Sequence, residues 1–332
     1  MKYAGIDIGY GFLKVTDGTP LAVIPSVIGQ AVDLTFDTGN AGNPLENLRV
    51  VYEGEEYFVG ENAIIQSENP YRALSTDRTK DIVTNIMFLT SLALLTNKPV
   101  EQFVVVTGLP VKDFTLYKNL YVEKFVGIHE IVVNGEPKTL MVDKVIVVPQ
   151  PYGTYVSQLW DEEGEFDEEF AGEHVGIIDI GFGTSDFIQV NKYQYLEKFS
   201  STSANGISSV YREISNFLTT THGIKKEQFE LEEVIRSGRL KIRGGVINLS
   251  EEIAAAKRSL AKKIAVEIKS SWTNFMEIGM ILITGGGGAL LFDELKELLG
   301  DDIILVKQPQ TANVRGYQQW GLVQDAEETG DE

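Results

Sequence analysis

A five-residue motif occurs twice in the sequence, and this duplication limits the possible folds more than any other feature. Residues Asp7 to Gly11 read DIGYG, and residues Asp179 to Gly183, half a chain later, read DIGFG. Each copy follows one apolar segment and precedes another, which is typical of a tight turn between two strands. We therefore expect two similar halves, each opening with a β-hairpin, that face each other across a cleft.

The remaining segments alternate between strand-like and helix-like patterns, which predicts an α/β fold. Continuous β-branched runs, typical of strands buried on both faces, lie at 103–108, 144–148 and 280–284. Apolar residues at helical spacing predict helices over 79–96, 114–125, 206–221, 230–236, 250–272 and 289–299. Ser250 is the expected N-cap of the 250–272 helix. Residues 313–317 are expected to form a turn before a final helix, and the acidic segments 161–173 and 325–332 to be loop or disordered.

The composition restricts the class of protein. A chain of 332 residues is long for one core, so two domains are expected. The absence of Cys excludes disulfides, thiolate zinc sites and cysteine nucleophiles. The net charge of −19 argues against direct binding to nucleic acid. No run reaches transmembrane length and the N-terminus does not resemble a signal peptide, so we expect a cytoplasmic protein without a membrane partner.

The two predicted turns are suited to binding phosphate groups. Glycines at Gly9 and Gly11, and at Gly181 and Gly183 beside Thr184, let backbone N–H groups approach an anion without an intervening Cβ. Lys14 would project from the first hairpin as a point charge for the outer phosphates. Asp7 and Asp179 would suit Mg²⁺ held largely through waters. The alternative is that each motif is only a tight turn with an Asp-stabilised bend.

A third glycine run, Gly285 to Gly288, lies between a predicted strand and a predicted helix. Four glycines permit close approach of a flat ligand, and the helix N-terminus that follows favours phosphate. Glycine also serves helix packing, so this run alone is a weak indication.

Taken together, the five segments resemble the five motifs of the superfamily of actin, sugar kinases and heat-shock chaperone ATPases. GIDIGYGFLK and IIDIGFGTSDF resemble the two phosphate motifs, and ILITGGGGALL resembles the adenosine motif. FVVVTGLP with KVIVVPQP, and ANVRGYQQWG, resemble the two connecting regions. The pattern spans nearly the whole chain and is most similar to ParM-type plasmid-segregation actins and archaeal-like bacterial actins.

The resemblance implies an actin-like fold of two duplicated, ribonuclease-H-like α/β domains around a nucleotide cleft. Domain I would cover 1–150, with a small inserted subdomain at about 32–77. Domain II would cover 151–332, with a small helical subdomain at about 206–277. The implied cofactors are ATP, or GTP, and Mg²⁺.

The resemblance also implies roles for individual residues. Asp7 and Asp179 match the magnesium-ordering aspartates, and Lys14 matches the phosphate lysine. Gln150 matches the residue that orients the attacking water, although it could instead only brace the bend between Pro149 and Pro151. The expected nucleotide contacts are Gly9, Tyr10, Gly11, Lys14, Gly181, Phe182, Gly183, Thr184, Gly285, Gly286, Gly287 and Asn313. Asp186 matches a family carboxylate or only stabilises its turn, and Arg236 either flanks the water-orienting residue or is solvated. Tyr10 and Phe12 depart from actin itself, which has small or sulfur-bearing residues there.

The function that the resemblance implies is a nucleotidase that polymerises into dynamic filaments, with plasmid or DNA segregation as the expected task. The partners would be further copies of the chain and a DNA-binding adaptor protein. Two alternatives stay open, a small-molecule kinase and a non-polymerising nucleotide-binding module of the same superfamily. The kinase alternative lacks an expected feature, because the segment PQPYGTY has no aspartate to act as a base.

Overall fold

The computed structural model describes residues 1–19, 21–34, 43–72, 80–160 and 165–329. The chain divides into two compact units. Unit 1 comprises Met1–Ala171 and Thr311–Glu332, and unit 2 comprises Gly172–Gln310. Unit 1 runs past residue 150 and includes the last helix, which packs on the first strand. The domain bounds implied by the resemblance stay a prediction. Part of the subdomain expected at about 32–77 lies outside the described residues.

Strands alternate with helices along the described chain, as the sequence predicts. The strands are β1 Lys2–Ile8, β2 Phe12–Thr16, β3 Leu21–Pro25, β4 Ile28–Gln30, β5 Leu48–Tyr52, β6 Glu55–Val59, β7 Val100–Leu109, β8 Gly127–Val133, β9 Glu136–Pro149, β10 His174–Ile180, β11 Ser185–Asn191, β12 Gln194–Tyr195, β13 Ser201–Ser203, β14 Arg239–Ile242, β15 Gly245–Asn248, β16 Met280–Thr284 and β17 Ile303–Leu305. The helices are α1 Glu61–Gln66, α2 Ile82–Leu94, α3 Val111–Phe125, α4 Tyr152–Ser157, α5 Glu168–Gly172, α6 Ser208–His222, α7 Glu232–Ser237, α8 Ser250–Ser271, α9 Gly285–Leu299 and α10 Ala312–Thr329.

Unit 1 is built on a nine-stranded sheet in the order β3-β2-β1-β7-β9-β8-β5-β6-β4. β1 and β2 form the predicted antiparallel hairpin, and β7 is parallel to both β1 and β9. The β-branched run in β7 is buried from Phe103 to Leu109, which confirms its place in the middle of the sheet. Helix α2 is buried along most of its length and forms part of the unit's main core with β1 and β7.

Unit 2 repeats the first five strands of this order as β12-β11-β10-β16-β17, and β13 also pairs with β11. An antiparallel hairpin, β10–β11, is again followed by parallel strands, β16 and β17. The order β3-β2-β1-β7-β9 of unit 1 is therefore reproduced, and the duplication seen in the motif extends to the topology. Strands β14 and β15 form a separate two-stranded sheet.

The structure corrects four local predictions. Ser250 is not the N-cap of α8, because Leu249 occupies that position and the Ser250 hydroxyl donates to Asn248 Oδ1. The four glycines do not precede α9 but form its first turn. Residues 313–317 belong to α10 rather than to a turn, and α10 continues through the acidic residues 325–329. In the other acidic segment, residues 168–172 form α5.

None of the helices in the described part of the chain combines the length and the apolar character that a membrane crossing requires.

Candidate functional site

The first glycine turn is held by one backbone hydrogen bond at the end of β1. The Gly9 N–H donates to the Phe12 carbonyl at 3.0 Å, and Ile8 is opposite Leu13 in the ladder that follows. The turn carbonyls are bound on the protein side, since Tyr10 O accepts from Arg72 and Gly11 O accepts from the Ser26 N–H. Because the protein satisfies these acceptors, they need not face an anion that binds the turn.

The Asp7 carboxylate is the centre of a polar cluster in unit 1. Asp7 is only 1% exposed and lies opposite Lys14 in the hairpin register. The Lys14 ammonium contacts Asp7 Oδ2 at 2.8 Å, and the Gln150 amide donates to Asp7 Oδ1 at 2.7 Å. A Cβ added at Gly9 would lie 3.5 Å from the same ammonium, so the cation lies beside the turn. The structure thus brings Gln150 to the first hairpin, 143 residues away from Asp7 in sequence.

Hydrogen bonds hold both the backbone N–H and the backbone carbonyl of Gln150. Its N–H donates to Leu109 O at 2.8 Å, and its carbonyl accepts from the Tyr317 hydroxyl at 2.7 Å. Tyr317 is fully buried and lies against Gly108, where an added Cβ would come within 1.9 Å of its oxygen. Sequence reasoning missed this support, because no periodicity links α10 to the end of β9.

Asn313, an expected nucleotide contact, lies in the first turn of α10 and is 6% exposed. Its side-chain oxygen accepts from the Thr154 N–H at 3.0 Å and from the Thr154 hydroxyl at 2.7 Å. This pair joins α4 to α10. Burial and these two bonds favour a positioning role within unit 1, and the nucleotide contact stays a prediction.

The second glycine turn has the same construction in unit 2. The Gly181 N–H donates to Thr184 O at 2.9 Å, and Ile180 is opposite Ser185, which matches the register of the first hairpin. The carbonyls of Gly181 and Phe182 accept from the N–H groups of Ile207 and Ser208 at the start of α6. In each turn, two carbonyls are therefore bound by the protein itself.

Gly206 permits the close contact between the second turn and α6. An added Cβ at Gly206 would lie 2.4 Å from Phe182 O and 2.7 Å from the Thr184 nitrogen. No real Cβ approaches backbone atoms so closely, so a side chain there would push the turn and the helix apart. The sequence contains the signal, a lone glycine at the predicted start of the helix, but the motif alone does not reveal it.

The two hairpins differ in charge at the register position of their aspartates. Asp7 is opposite Lys14 in unit 1, whereas Asp179 is opposite Asp186 in unit 2. Both carboxylates of unit 2 are buried, at 6% and 3% exposure. Asp186 accepts from the hydroxyls of Thr202 and Thr184, which supports its turn-stabilising alternative.

The glycine run is packed tightly at its first position and open at its second. Gly285 has φ +83°, and an added Cβ would lie 2.4 Å from both Asp179 Oδ1 and Ile180 O. The Asp179 carboxylate therefore lies at the N-terminus of α9, where the helix dipole favours negative charge. At Gly286 the nearest atom to an added Cβ is Gln310 Cγ, at 3.7 Å. The packing explanation thus applies to Gly285 and not to Gly286.

The carboxylates suit Mg²⁺ held through waters better than an all-protein cage. Both Asp7 oxygens already accept from nitrogen donors, so a direct bond to a metal would compete with these contacts. No group of three or more potential ligand side chains occurs among the residues that the structure describes. Mg²⁺ beside a polyphosphate needs only one or two carboxylates and several waters, and the residues present fit that arrangement.

Arg236 lies on the exposed face of α7, where its guanidinium pairs with Glu233. Its side chain is 76% exposed, which agrees with the alternative that Arg236 is solvated.

Two family models match the chain. Residues 5–153 match the model described as the N-terminal domain of actin-like proteins, and residues 177–297 match the C-terminal model of the archaeal, MreB-like actin homologue. No functionally curated protein matches the sequence.

Solved structures of actin-like proteins share the fold over nearly the whole chain. A 15-stranded ParM filament from Clostridium botulinum is 23% identical with a TM-score of 0.83, and the match covers 97% of this chain and 99% of that one. The archaeal actin homologue Ta0583 in complex with ADP is 19% identical with a TM-score of 0.81, covering 97% and 100%. Bacillus thuringiensis ParM with AMPPNP is 18% identical with a TM-score of 0.72, covering 98% and 99%.

Proposed function

The chain belongs to the actin-like proteins, and from this premise we propose that it binds and hydrolyses a nucleoside triphosphate, ATP or GTP, and polymerises with it. The observation that carries the proposal is the matched pair of glycine turns. In each turn, the N–H of the first glycine donates to the carbonyl three residues later, and the protein binds two of the turn carbonyls. The strand register is the same, and a buried aspartate lies two residues before the first glycine. A turn of this construction can hold phosphate groups with its backbone N–H groups.

The proposal assigns each side chain a task. The Lys14 ammonium, beside the first turn, would attract the outer phosphates. The Gln150 amide, fixed through its backbone, would orient the attacking water. Asp7 and Asp179 would order the waters of Mg²⁺, which when bound neutralises part of the phosphate charge. The contacts of Gly181 to Thr184 and of Gly285 to Gly287 complete the proposed set.

The first test measures hydrolysis. Asp179→Asn keeps the size of the side chain but removes its charge, so we expect Mg²⁺-dependent phosphate release to fall by on the order of 10²-fold. Asp293→Asn, an exposed change in the same unit, is the matched control and should leave release unchanged. Normal turnover by folded Asp179→Asn protein would remove the metal-ordering role.

Filament formation is the second part of the proposal. Two of the similar structures concern polymerisation: one is a 15-stranded ParM filament, and the other is a non-polymerisable quadruple mutant of a ParM protein. DNA segregation through a DNA-binding adaptor is the proposed task, since a chain with a net charge of −19 is poorly suited to grip DNA itself. Purified chain that binds duplex DNA tightly would contradict the adaptor.

Light scattering and sedimentation with ATP–Mg²⁺ and with GTP–Mg²⁺, followed by negative-stain microscopy, test polymerisation. Filaments with either nucleotide support the proposal. Nucleotide binding without any assembly at high concentration would favour the second candidate, a non-polymerising nucleotide-binding module. Phosphate transfer to a small molecule instead of water would favour a kinase.

A further inference from the structure

A basic β-hairpin in unit 2 differs in charge from the rest of the chain. Among the strands that the structure describes, β14 and β15 pair only with each other, and the turn Arg243–Gly244 joins them. Residues 236–248 contain no Asp or Glu, although the whole chain has 48 acidic and 29 basic residues. The cations of this segment, here called the basic hairpin, are Arg236, Arg239, Lys241 and Arg243.

Three of these cations are available for a partner. Arg236 pairs with Glu233 on α7. Arg239, Lys241 and Arg243 are exposed, and none of them forms an ion pair within the described part of the chain. In a chain with an excess of acid, three neighbouring unpaired cations on one element indicate that their counter-charges lie on another molecule.

The basic hairpin is an ordered element rather than a loose loop. Leu240 is 9% exposed and belongs to the core of unit 2. At the base of the hairpin, the Leu249 N–H donates to Gly238 O at 2.8 Å. Because residues alternate between the faces of a strand, Arg239 and Lys241 share the face opposite to Leu240. Their spacing is therefore set before a partner binds, which lowers the entropic cost of binding.

One exposed apolar side chain lies beside these cations. Val246 is opposite Lys241 in the register and is 57% exposed, whereas Ile242, 41% exposed, lies on the same face as Leu240. A mixed arginine-rich and apolar surface is characteristic of protein–protein interfaces.

We infer that the basic hairpin binds an acidic surface of a second copy of this chain and forms a head-to-tail contact in the filament. This inference rests on the proposed polymerisation. Copies with a charge of −19 repel each other, so a contact between them requires a local surface of opposite sign. The basic hairpin provides one, and the excess of 48 acidic over 29 basic residues provides acid elsewhere on a copy.

The same charges determine the symmetry of the contact. A two-fold symmetric dimer through the basic hairpin would place cations against cations, which is unfavourable. The contact therefore joins two different surfaces. A heterologous contact of this kind leaves one free surface at each end and produces an open polymer when it does not close into a ring.

The test uses the full chain with three charge reversals, Arg239→Glu, Lys241→Glu and Arg243→Glu. The matched control reverses three exposed lysines of the same unit, Lys225→Glu, Lys262→Glu and Lys263→Glu, so that the change in net charge is equal. We expect the critical concentration for assembly to rise about tenfold or more in the hairpin variant and clearly less in the control. This difference should shrink in about 1 M salt, where the screening length is about 3 Å.

A mixing experiment tests the head-to-tail geometry. The hairpin variant keeps its acidic surface, so it should accept the hairpin of a wild-type copy but fail to extend further. At roughly one variant per ten wild-type chains it should therefore slow elongation at one end by capping. Equal assembly of hairpin variant and control, or no effect on wild-type elongation, would overturn the inference.

The outcomes separate this inference from the proposed function. If wild-type chain does not assemble with either nucleotide, polymerisation itself fails. If wild type assembles and the hairpin reversal has no more effect than the control, only the hairpin contact fails. Circular dichroism and nucleotide binding of each variant check that it is folded. Loss of duplex-DNA binding with unchanged assembly would identify nucleic acid as the partner and overturn the inference.

Discussion

Alanine substitutions at the first two glycines of α9 distinguish a glycine needed for packing from a glycine needed for contact with a ligand. Gly285→Ala would place a methyl group 2.4 Å from Asp179 Oδ1 and from Ile180 O, at a backbone φ of +83°. Gly286→Ala would meet nothing closer than 3.7 Å, and Gly286 has no positive φ. The two substitutions are chemically identical and adjacent in sequence, so each serves as a control for the other.

The expected effects on stability have opposite signs. A non-glycine residue at positive φ costs roughly 1–2 kcal/mol, and overpacking against backbone costs roughly 1–3 kcal/mol. Gly285→Ala should therefore destabilise the fold by about 2–5 kcal/mol. Gly286→Ala adds a residue with better helix propensity and should raise stability by up to about 1 kcal/mol. For a domain of this size the melting temperature changes by about 2–4 °C per kcal/mol.

The effect on nucleotide binding carries the functional information. If a flat base packs against the backbone at Gly286, a methyl group there must displace the base, and Kd should rise about tenfold or more, equivalent to about 1.4 kcal/mol. Calorimetric titration with a non-hydrolysable nucleotide analogue and thermal melting on the same preparation measure both quantities. Gly286→Ala should then be as stable as wild type and bind more weakly.

An unchanged Kd for folded Gly286→Ala protein would refute the ligand contact, and the glycine would need another explanation. A large loss of stability in Gly286→Ala would instead contradict the packing reasoning, because the structure leaves room for its methyl group.

Three further predictions concern unit 1. Gln150→Ala should slow phosphate release by on the order of 10²-fold with nucleotide affinity nearly unchanged; a lower melting temperature with normal release per folded molecule would leave only the bracing role. Lys14→Met leaves the buried Asp7 carboxylate without its cation and should lower the free energy of unfolding in urea by about 3 kcal/mol. Adding Asp7→Asn should recover most of this loss, and a double variant as unstable as Lys14→Met would contradict the reasoning. Burial works to raise the pKa of Glu101, but the ion pair with Lys98 and further hydrogen bonds outweigh it and lower the pKa. Since this pKa is lower in the folded state, the stabilisation is present at neutral pH and is lost as pH falls below about 4.5; urea unfolding should show a smaller acid loss for Glu101→Gln than for wild type, and equal slopes would contradict the assignment.

Sequence patterns determined the parts of the fold that depend on local chemistry. The repeated motif, DIGYG and DIGFG, predicted both hairpins, because a glycine-containing turn between two apolar segments most often joins two antiparallel strands. Buried β-branched runs predicted β7, the end of β9 and β16, and helical spacing predicted α2, α3, α6 and α8, since these periodicities follow directly from backbone geometry. The order of the motifs was sufficient for the resemblance to actin-like proteins, which the family models and solved structures confirm.

Local patterns were less reliable at helix boundaries. The glycine run was expected before α9 and turned out to be its first turn, and α10 begins earlier and ends later than expected. Propensity disfavours glycine in helices by only about 1 kcal/mol per residue. Packing of α9 on β10 outweighs that cost, and a single sequence does not show such packing.

Only the tertiary structure decided which partners the polar residues have. Asp7 and Gln150 are separated by most of unit 1 in sequence, yet they form one hydrogen bond because β1 and β9 flank β7 in the sheet. Asn313 joins Thr154, and Tyr317 holds the Gln150 carbonyl, because α10 returns to the strands of unit 1. The sequence by itself determined which residue types and turns are present. The contacts that give them a common task depend on strand order and helix packing, which bring distant segments together and which no local pattern encodes.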